Sequence, residues 1–148
     1  MEIYKKYSDP KTNKISREKF LLLISKLSKN VKEIKGIEMD VVNAVFLIFD
    51  KDSDGYIDSE EFIEWWTSSK RFSYFDENTT KLVKKAYNLF KKYAKNKNIM
   101  DYNQFVQLLK DLKIDKEEMI NIETFESMDV NNDGYINFFE FQKWLSWF

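Results

Sequence analysis

Apolar residues recur at intervals of three and four along most of the chain, and this period is typical of amphipathic helices. Two polar stretches, residues 50–61 and 129–140, interrupt these stripes, and two less regular stretches, 8–19 and 93–104, do the same. We therefore predict an all-α fold built from helix–loop–helix units. The predicted stripes are Val42, Val45, Phe46 and Phe49; Phe62, Trp65 and Trp66; Leu82, Ala86, Leu89, Phe90 and Tyr93; Phe105, Leu108, Leu109 and Leu112; Ile122, Phe125 and Met128; and Phe141, Trp144, Leu145 and Phe148.

The two polar stretches are copies of one pattern. DKDSDGYIDSEEF begins at Asp50 and DVNNDGYINFFEF begins at Asp129. Numbered from 1 to 12, both have oxygen-bearing side chains at positions 1, 3, 5 and 9, Gly at 6, Ile at 8 and Glu at 12. This spacing is the calcium-loop pattern, and a match at every key position in two places disfavours the alternative of a polar turn between helices.

Each residue type in the pattern has a chemical reason. Calcium is a hard cation that takes six to eight oxygen ligands, with a bidentate Glu at position 12 and a backbone carbonyl at position 7. Glycine at position 6 permits the sharp turn. The predicted ligands are Asp50, Asp52, Asp54, Tyr56 (carbonyl), Asp58 and Glu61 in one loop, and Asp129, Asn131, Asp133, Tyr135 (carbonyl), Asn137 and Glu140 in the other.

Two degenerate copies of the loop are predicted at 8–19 and 93–104. The first has Pro10 at position 3 and Lys19 at position 12, so we expect no chelation there, although Asn13 at position 6 is suited to a left-handed turn. The second is also expected to be silent, and an alternative alignment makes it one residue shorter. Its positions 3 and 5 are Lys95 and Lys97.

With four such units, the chain resembles the EF-hand proteins of the calmodulin and troponin C superfamily, with features similar to those of the sarcoplasmic calcium-binding proteins. The resemblance implies two paired lobes, joined within each lobe by short β pairing at position 8. It pairs Ile15 with Ile57 and Met100 with Ile136. The predicted domains are an N-terminal pair at 1–67, a linker at 68–78 and a C-terminal pair at 79–148, each pair having one silent and one active hand.

The linker is not expected to be a bare solvated tether. Its Ser and Asn clusters argue against a continuous helix, and the next helix is predicted to begin at Asn78 or Thr79. Aromatic residues in the linker indicate packing, and we expect the two lobes to touch there; the alternative is that these residues cap their own lobe. These residues are Phe72, Tyr74 and Phe75.

The sequence departs from calmodulin at the fourth and fifth residues after each loop. Calmodulin-like sensors have Met there, which suits many partner helices. Here these residues are predicted to be core rather than groove. The residues at the two positions are Leu23, Ile24, Trp65, Trp66, Leu108, Leu109, Trp144 and Leu145.

Three aromatic residues near the C-terminus lie off the last stripe: Phe138, Phe139 and Trp147. They are expected to pack on their own lobe, on the silent hand or on another chain.

Composition narrows the function. The 148 residues include no His and no Cys, so His bases, thiol nucleophiles and metal sites of those residues are absent. Nearly every clustered carboxylate is already a loop ligand, and we expect no enzyme. A formal net charge of −1 gives no reason to expect a nucleic-acid partner. The lysine-rich stretch at 81–97 is expected to be a solvated helix face rather than a membrane anchor, and a cytoplasmic location is expected.

These observations predict a protein that binds two Ca²⁺ per chain. The favoured function is a calcium sensor that changes conformation and regulates a specific protein partner. The alternative is a compact cytosolic calcium buffer or storage protein with the same ligands and little opening. The loop pattern does not separate the two, and it leaves the oligomeric state open.

Overall fold

The computed structural model describes residues 1–94, 98–113 and 121–145, apart from the side chain of Glu33. Within these ranges the chain is mostly helical and has two short antiparallel strand pairs, which agrees with the predicted all-α class. The helices are α1 (Glu2–Tyr7), α2 (Arg17–Leu27), α3 (Met39–Phe49), α4 (Ser59–Thr67), α5 (Glu77–Tyr93), α6 (Tyr102–Asp111), α7 (Ile122–Met128) and α8 (Phe138–Leu145). The strands are β1 (Ile15–Ser16), β2 (Tyr56–Ile57), β3 (Ile99–Met100) and β4 (Ile136–Asn137).

The chain divides into two units, and the first, Met1–Lys85, contains α1 to α4 together with β1 and β2. The strands pair antiparallel, with Ile15 opposite Ile57 and Ser16 opposite Tyr56. Both isoleucines are fully buried, so the strand pair also carries apolar side chains into the core. The predicted pairing of Ile15 with Ile57 is confirmed.

The second unit, Ala86–Phe148, contains the end of α5, helices α6 to α8, and β3 and β4. Met100 lies opposite Ile136, and Ile99 lies opposite Asn137. Met100 and Ile136 are fully buried. The second predicted pairing is therefore confirmed as well.

Four helices begin directly after position 9 of a loop, where a short polar side chain caps the helix. This side chain accepts a hydrogen bond from the backbone N–H three residues later, which satisfies a donor that the helix itself leaves unpaired. The four caps are Ser16 (from Lys19, 3.3 Å), Asp58 (from Glu61, 2.9 Å), Asp101 (from Gln104, 2.8 Å) and Asn137 (from Glu140, 2.9 Å).

Aromatic rings fill the core of the first unit. Phe20, Phe46 and Phe62 are almost fully buried, and Trp65 is 4% exposed. The Trp65 ring stacks on Phe49 with centroids 5.0 Å apart and meets Phe20 edge-on at 5.6 Å. Such aromatic pairs each contribute about 0.5–1.5 kcal/mol beyond simple burial. Helix α4, which leaves the loop 50–61, is thereby joined to α2 and α3.

The positions that calmodulin-like sensors use as a groove are mostly core here. This agrees with the prediction for the described helices and leaves little preformed apolar groove at these positions. Leu23, Ile24, Trp65, Leu108 and Leu109 are buried, whereas Trp66, Trp144 and Leu145 are half-buried.

Phe138 packs within its own unit. It is 1% exposed, and its ring lies 5.7 Å from Tyr87 and 5.4 Å from Phe90. Both partners belong to α5, so this ring contributes to the core of the second unit. Phe139 is half-buried, and Trp147 and Phe148 lie outside the described residues.

Helix α5 begins earlier than predicted. Its first residue is Glu77, and the Asp76 carboxylate accepts hydrogen bonds from the backbone N–H groups of Asn78 and Thr79, each at 3.0 Å. The predicted caps Asn78 and Thr79 are therefore wrong, because a carboxylate just before them already satisfies these donors.

The apolar stripe of α5 agrees with the prediction at its end and differs at its start. Phe90 and Tyr93 are buried as predicted, whereas Leu82 is 67% exposed and Val83 and Tyr87 are buried in its place. The buried residues follow the i, i+4, i+7 spacing of one helix face, and Leu82 lies about 100° away from Val83 around the axis. Two further stripe residues, Leu112 and Ile122, are 41% and 47% exposed.

The linker aromatics contact the first unit. The Trp65 indole N–H donates to the carbonyl of Arg71 at 2.7 Å, and the Tyr74 ring meets Phe49 edge-on at 5.7 Å. The Arg71 guanidinium lies 5.3 Å from the centre of the Trp66 ring. These are the contacts expected of aromatics that cap their own lobe.

Several lysines of the 81–97 stretch have partners on the protein. Lys84 forms an ion pair with Glu38, and the Lys91 ammonium lies 4.6 Å from the centre of the Tyr87 ring. These contacts agree with a solvated helix face. No helix among the described residues is long and apolar enough to cross a membrane. The stretch also includes Lys95 and Lys97, which lie outside the described residues.

Candidate metal centres

The backbone of loop 50–61 is wrapped around the carboxylate of Asp50. One oxygen accepts a hydrogen bond from the Asp54 N–H and the other from the Gly55 N–H, both at 3.0 Å. Gly55 has a φ of +86°, in the left-handed region that glycine adopts at little cost. The local sequence therefore forms a tight turn with its oxygens directed inward.

Five carboxylates of this loop form overlapping clusters. Asp50, Asp52 and Asp54 each offer an oxygen within 4.8 Å of the others, and so do Asp52, Asp58 and Glu61. The donor set consists of oxygen atoms only, which suits a hard cation and excludes the soft ligands of zinc or copper. The residues present therefore fit Ca²⁺.

Glu61 is turned into the loop by hydrogen bonds from the backbone. One oxygen accepts from Lys51 N–H at 2.9 Å and the other from Asp58 N–H at 3.0 Å. Because Asp58 in turn accepts from Glu61 N–H, the two residues form a reciprocal capping box at the start of α4. The last predicted ligand and the first turn of the helix are therefore one rigid element.

Burial disfavours the charged form of two carboxyl groups in this loop. The pKa of Asp50 is raised to about 8; desolvation by burial is the largest cause, the hydrogen bond from Gly55 acts against it, and neighbouring carboxyl groups contribute to the rise. Desolvation also raises the pKa of Glu61, again against backbone hydrogen bonds from Asp58 and Lys51. A cation bound at these oxygens would relieve this cost.

Acidification is expected to stabilise the ion-free protein. Because the folded-state pKa values of Asp50 and Glu61 lie above their unfolded values, their contribution to stability is fully present below the unfolded pKa and is lost as the pH rises through the folded pKa, which is about 8 for Asp50. Lowering the pH from 8 to 5.5 in metal-free buffer should raise Tm by ~5 °C. The measurement is thermal unfolding by circular dichroism.

The control for this experiment is a matched pair of variants. Asp50→Asn should raise Tm at pH 8 and remove most of the pH dependence, whereas Asp40→Asn, at an exposed position on α3, should leave it intact. Three other carboxyl groups have lowered pKa values and therefore change the stability only at pH values near and below the ordinary pKa of a carboxyl group. This range lies below the pH interval of the experiment. The three residues are Asp9, Asp76 and Asp111. A Tm that stays constant or falls between pH 8 and 5.5 would contradict the expectation.

Loop 129–140 repeats this geometry. The Asp129 carboxylate accepts from Asp133 N–H at 3.1 Å and Gly134 N–H at 2.8 Å. Glu140 accepts from Val130 N–H at 2.9 Å and Asn137 N–H at 3.0 Å. Desolvation by burial is again the largest cause that raises the pKa of Glu140. The predicted ligands of this loop include fewer carboxylates than those of loop 50–61.

The remaining predicted ligands follow the same plan in both loops. Asn131 and Asn137 supply amide oxygens where the first loop has Asp52 and Asp58. The side chains at position 7 are exposed, and the role of their carbonyl groups as ligands stays a prediction. These residues are Tyr56 and Tyr135, each 43% exposed.

The segments 8–19 and 93–104, which are predicted as degenerate loops, also contain a left-handed turn. Asn13 and Asn98, at position 6 of these segments, have φ values of +53° and +56°. Asn98 keeps the same place in the register 93–104 and in the shorter alternative, so it does not separate the two. Helix α5 ends at Tyr93 as α3 ends at Phe49, which favours the alternative that is one residue shorter. In segment 8–19, Asp9 accepts hydrogen bonds from the backbone N–H groups that follow it, which lowers its pKa.

One contact at the first site did not emerge from the sequence. The Lys14 ammonium donates to the Asp54 carboxylate and forms an ion pair with it. That hydrogen bond is the largest cause that raises the pKa of Lys14, and the charges of Asp52 and Asp58 add to it. The only signal in the sequence was indirect, since Lys14 directly precedes Ile15, the residue that pairs with the active loop.

Comparison with known families identifies the same two loops. A sequence profile of the EF hand domain matches residues 41–69 and 122–146, which contain the loops 50–61 and 129–140 with their flanking helices. No curated protein matches the chain significantly. The chain therefore contains two EF-hand motifs, and these motifs imply calcium binding. The EF-hand family is a calcium-binding, non-enzymatic family.

Proposed function

We propose that the chain is a calcium sensor with four EF-hands in two paired lobes, in which the hands at 50–61 and 129–140 each bind one Ca²⁺. The two EF-hand motifs and the carboxylate clusters support the calcium assignment. The left-handed turns and strand pairings of 8–19 and 93–104 support the view that these segments are silent hands. A cytosolic location and a specific protein partner belong to the same proposal.

The proposed ligands are the twelve predicted residues. All are oxygen donors, and at position 12 each active loop has a glutamate whose two oxygens already lie inside the loop. The first silent loop has Lys19 at that position, whose ammonium offers no oxygen. The proposed sets are Asp50, Asp52, Asp54, Tyr56 (carbonyl), Asp58 and Glu61; and Asp129, Asn131, Asp133, Tyr135 (carbonyl), Asn137 and Glu140.

The observation that carries the sensor proposal is the link between Glu61 and the core. Glu61 lies in the first turn of α4, and Trp65 lies one turn later on the same helix. Trp65 contacts Phe49 and Phe20, which belong to the two neighbouring helices. A change in the position of the Glu61 carboxylate therefore moves a residue on which the packing of three helices depends.

The buffer alternative also has an observation in its favour. The Glu61 carboxylate is already held by two loop N–H groups, and the Trp65 indole is tied to the carbonyl of Arg71. If these contacts persist when the ion binds, the lobe takes up calcium without opening. Sensor and buffer therefore differ in whether the surroundings of Trp65 change.

Tryptophan emission tests the proposal directly. In a Trp144→Phe, Trp147→Phe background, saturating calcium should shift the emission and change quencher access, because opening alters the contacts of the buried Trp65. Trp65→Phe should remove more of the response than Trp66→Phe, since Trp65 is buried and hydrogen-bonded whereas Trp66 is half-buried. Calcium-dependent binding of an apolar dye provides a second measurement.

Two variants separate a loop response from a general charge effect. Glu61→Gln should abolish the emission change, whereas Glu60→Gln, at the exposed neighbouring position, should retain it. If calorimetry shows calcium uptake and the indoles show no change in emission or quenching, the sensor proposal fails for this lobe and the buffer function replaces it.

A further inference from the structure

The silent hand of the first unit places a positive charge against the active loop. Lys14 is at position 7 of the silent loop and directly precedes strand β1. The antiparallel pairing of Ile15 with Ile57 brings this residue beside the neighbouring loop, where its ammonium forms the ion pair with Asp54. Lys14 is half-buried, so the backbone and its surroundings hold the charge near the loop.

The ion pair involves one of the proposed calcium ligands. Asp54 is at position 5 of its loop and also belongs to the carboxylate cluster with Asp50 and Asp52. A divalent cation at this cluster must either take an Asp54 oxygen from Lys14 or lie beside its ammonium. Both arrangements weaken binding, because the first breaks an ion pair and the second places like charges close together.

The second unit lacks this charge at the matching place. Position 7 of its silent loop is Ile99, which precedes Met100 as Lys14 precedes Ile15. The residue that corresponds to Asp54 is Asp133. Where Lys14 lies beside the active loop of the first unit, the second unit therefore has an apolar side chain at the matching position.

We propose that Lys14 is an affinity-determining residue of the first calcium site, a tethered cation that competes with the incoming ion for Asp54. This inference rests on the proposed calcium binding at 50–61. It gives the silent hand a role in setting the calcium concentration at which its neighbour responds, and it makes the first site weaker than its five carboxylates alone would predict.

Removal of the charge should tighten calcium binding at the first site. Glu140→Gln provides a background in which only loop 50–61 is expected to bind, and Lys14→Gln in that background should lower Kd by about three- to tenfold. Lys14→Arg, which keeps the charge, should stay within about twofold of the parent. Lys11→Gln removes the same charge from an exposed position of the same loop and should also stay within about twofold. The measurement is calorimetry supported by competition with a chromophoric chelator.

Salt distinguishes a charge effect from a structural one. Screening at ~0.5 M KCl should reduce the ratio of the Lys14→Gln and parent Kd values toward one, whereas a change caused by altered loop structure would persist. Circular dichroism of each ion-free variant checks that the fold is retained.

Exchanging the two residues tests the same idea in reverse. Lys14→Ile should tighten the first site, and Ile99→Lys, measured in a Glu61→Gln background, should weaken the second site by about three- to tenfold through Asp133. If Ile99→Lys disturbs the half-buried β3, Ile99→Gln serves as its uncharged control, and the difference between the two variants reports the charge.

The outcomes separate this inference from the proposed function. If the Glu140→Gln protein takes up no calcium, calcium binding at 50–61 fails and the inference falls with it. If that protein binds calcium and Lys14→Gln changes Kd by less than about twofold at low salt, the competing-cation role of Lys14 is wrong while the proposed calcium site stands.

Discussion

Glu61→Gln and Glu140→Gln are each expected to remove one of two calcium sites. Each substitution keeps the side-chain volume but replaces a carboxylate that has both oxygens inside its loop. A neutral amide offers one oxygen and no charge to a cation that takes a bidentate glutamate at this position, so affinity at the changed site should fall by ~100-fold or more. Titration calorimetry should show two ions bound by the parent chain and one by each variant.

The controls for these variants are exposed acids beside each site. Glu60→Gln and Glu123→Gln remove the same charge next to the two active hands and should leave the stoichiometry at two. Binding of three or four ions by the parent chain would overturn the assignment of 8–19 and 93–104 as silent. Retention of both sites in Glu61→Gln would overturn the ligand set of the first loop.

Calcium is also expected to stabilise the fold strongly. At free calcium about 1,000 times Kd, an ion that binds only the folded state adds about 4 kcal/mol per site. For a chain of this size each kcal/mol corresponds to roughly 2–4 °C, so two sites should raise Tm by about 15–30 °C relative to protein in a chelator. The buried, mutually repelling carboxylates of Asp50 and Glu61 are the physical reason for the difference.

Thermal unfolding of the two Glu→Gln variants tests the origin of this stabilisation. Each variant should retain only the part of the calcium-dependent shift that comes from its intact site, and the double variant should have almost none. A Tm that does not respond to calcium in the parent chain would contradict binding to the folded state.

Much of the fold was predictable because the EF-hand loop is a local device. Its turn, strand and cap are all specified within twelve residues, so the spacing of Gly55, Ile57 and Asp58 is enough to predict a turn, a pairing residue and a helix start. The resemblance to the EF-hand proteins placed Ile15 and Met100 in the strand pairs, even in segments without a complete ligand set. Both pairings are present in the structure.

Features that depend on contacts between distant segments were not predictable in the same way. Periodicity suggested Leu82 for the core of α5, but the packing of that helix buries Val83 and Tyr87 instead. The ion pair of Lys14 with Asp54 joins residues 40 positions apart. The spacing of residues along the chain does not specify the direction in which the Lys14 side chain points.

The segments 8–19 and 93–104 separate two features that occur together in the loops 50–61 and 129–140. Asn13 and Asn98 keep the left-handed turn, and Ile15 and Met100 keep the strand pair, although position 12 has become Lys19 in one loop and Gln104 in the other. Shape and charge in this motif are therefore independently variable. In both segments the turn and the strand pair form without a glutamate at position 12, so the backbone shape does not depend on the residue that would close on an ion.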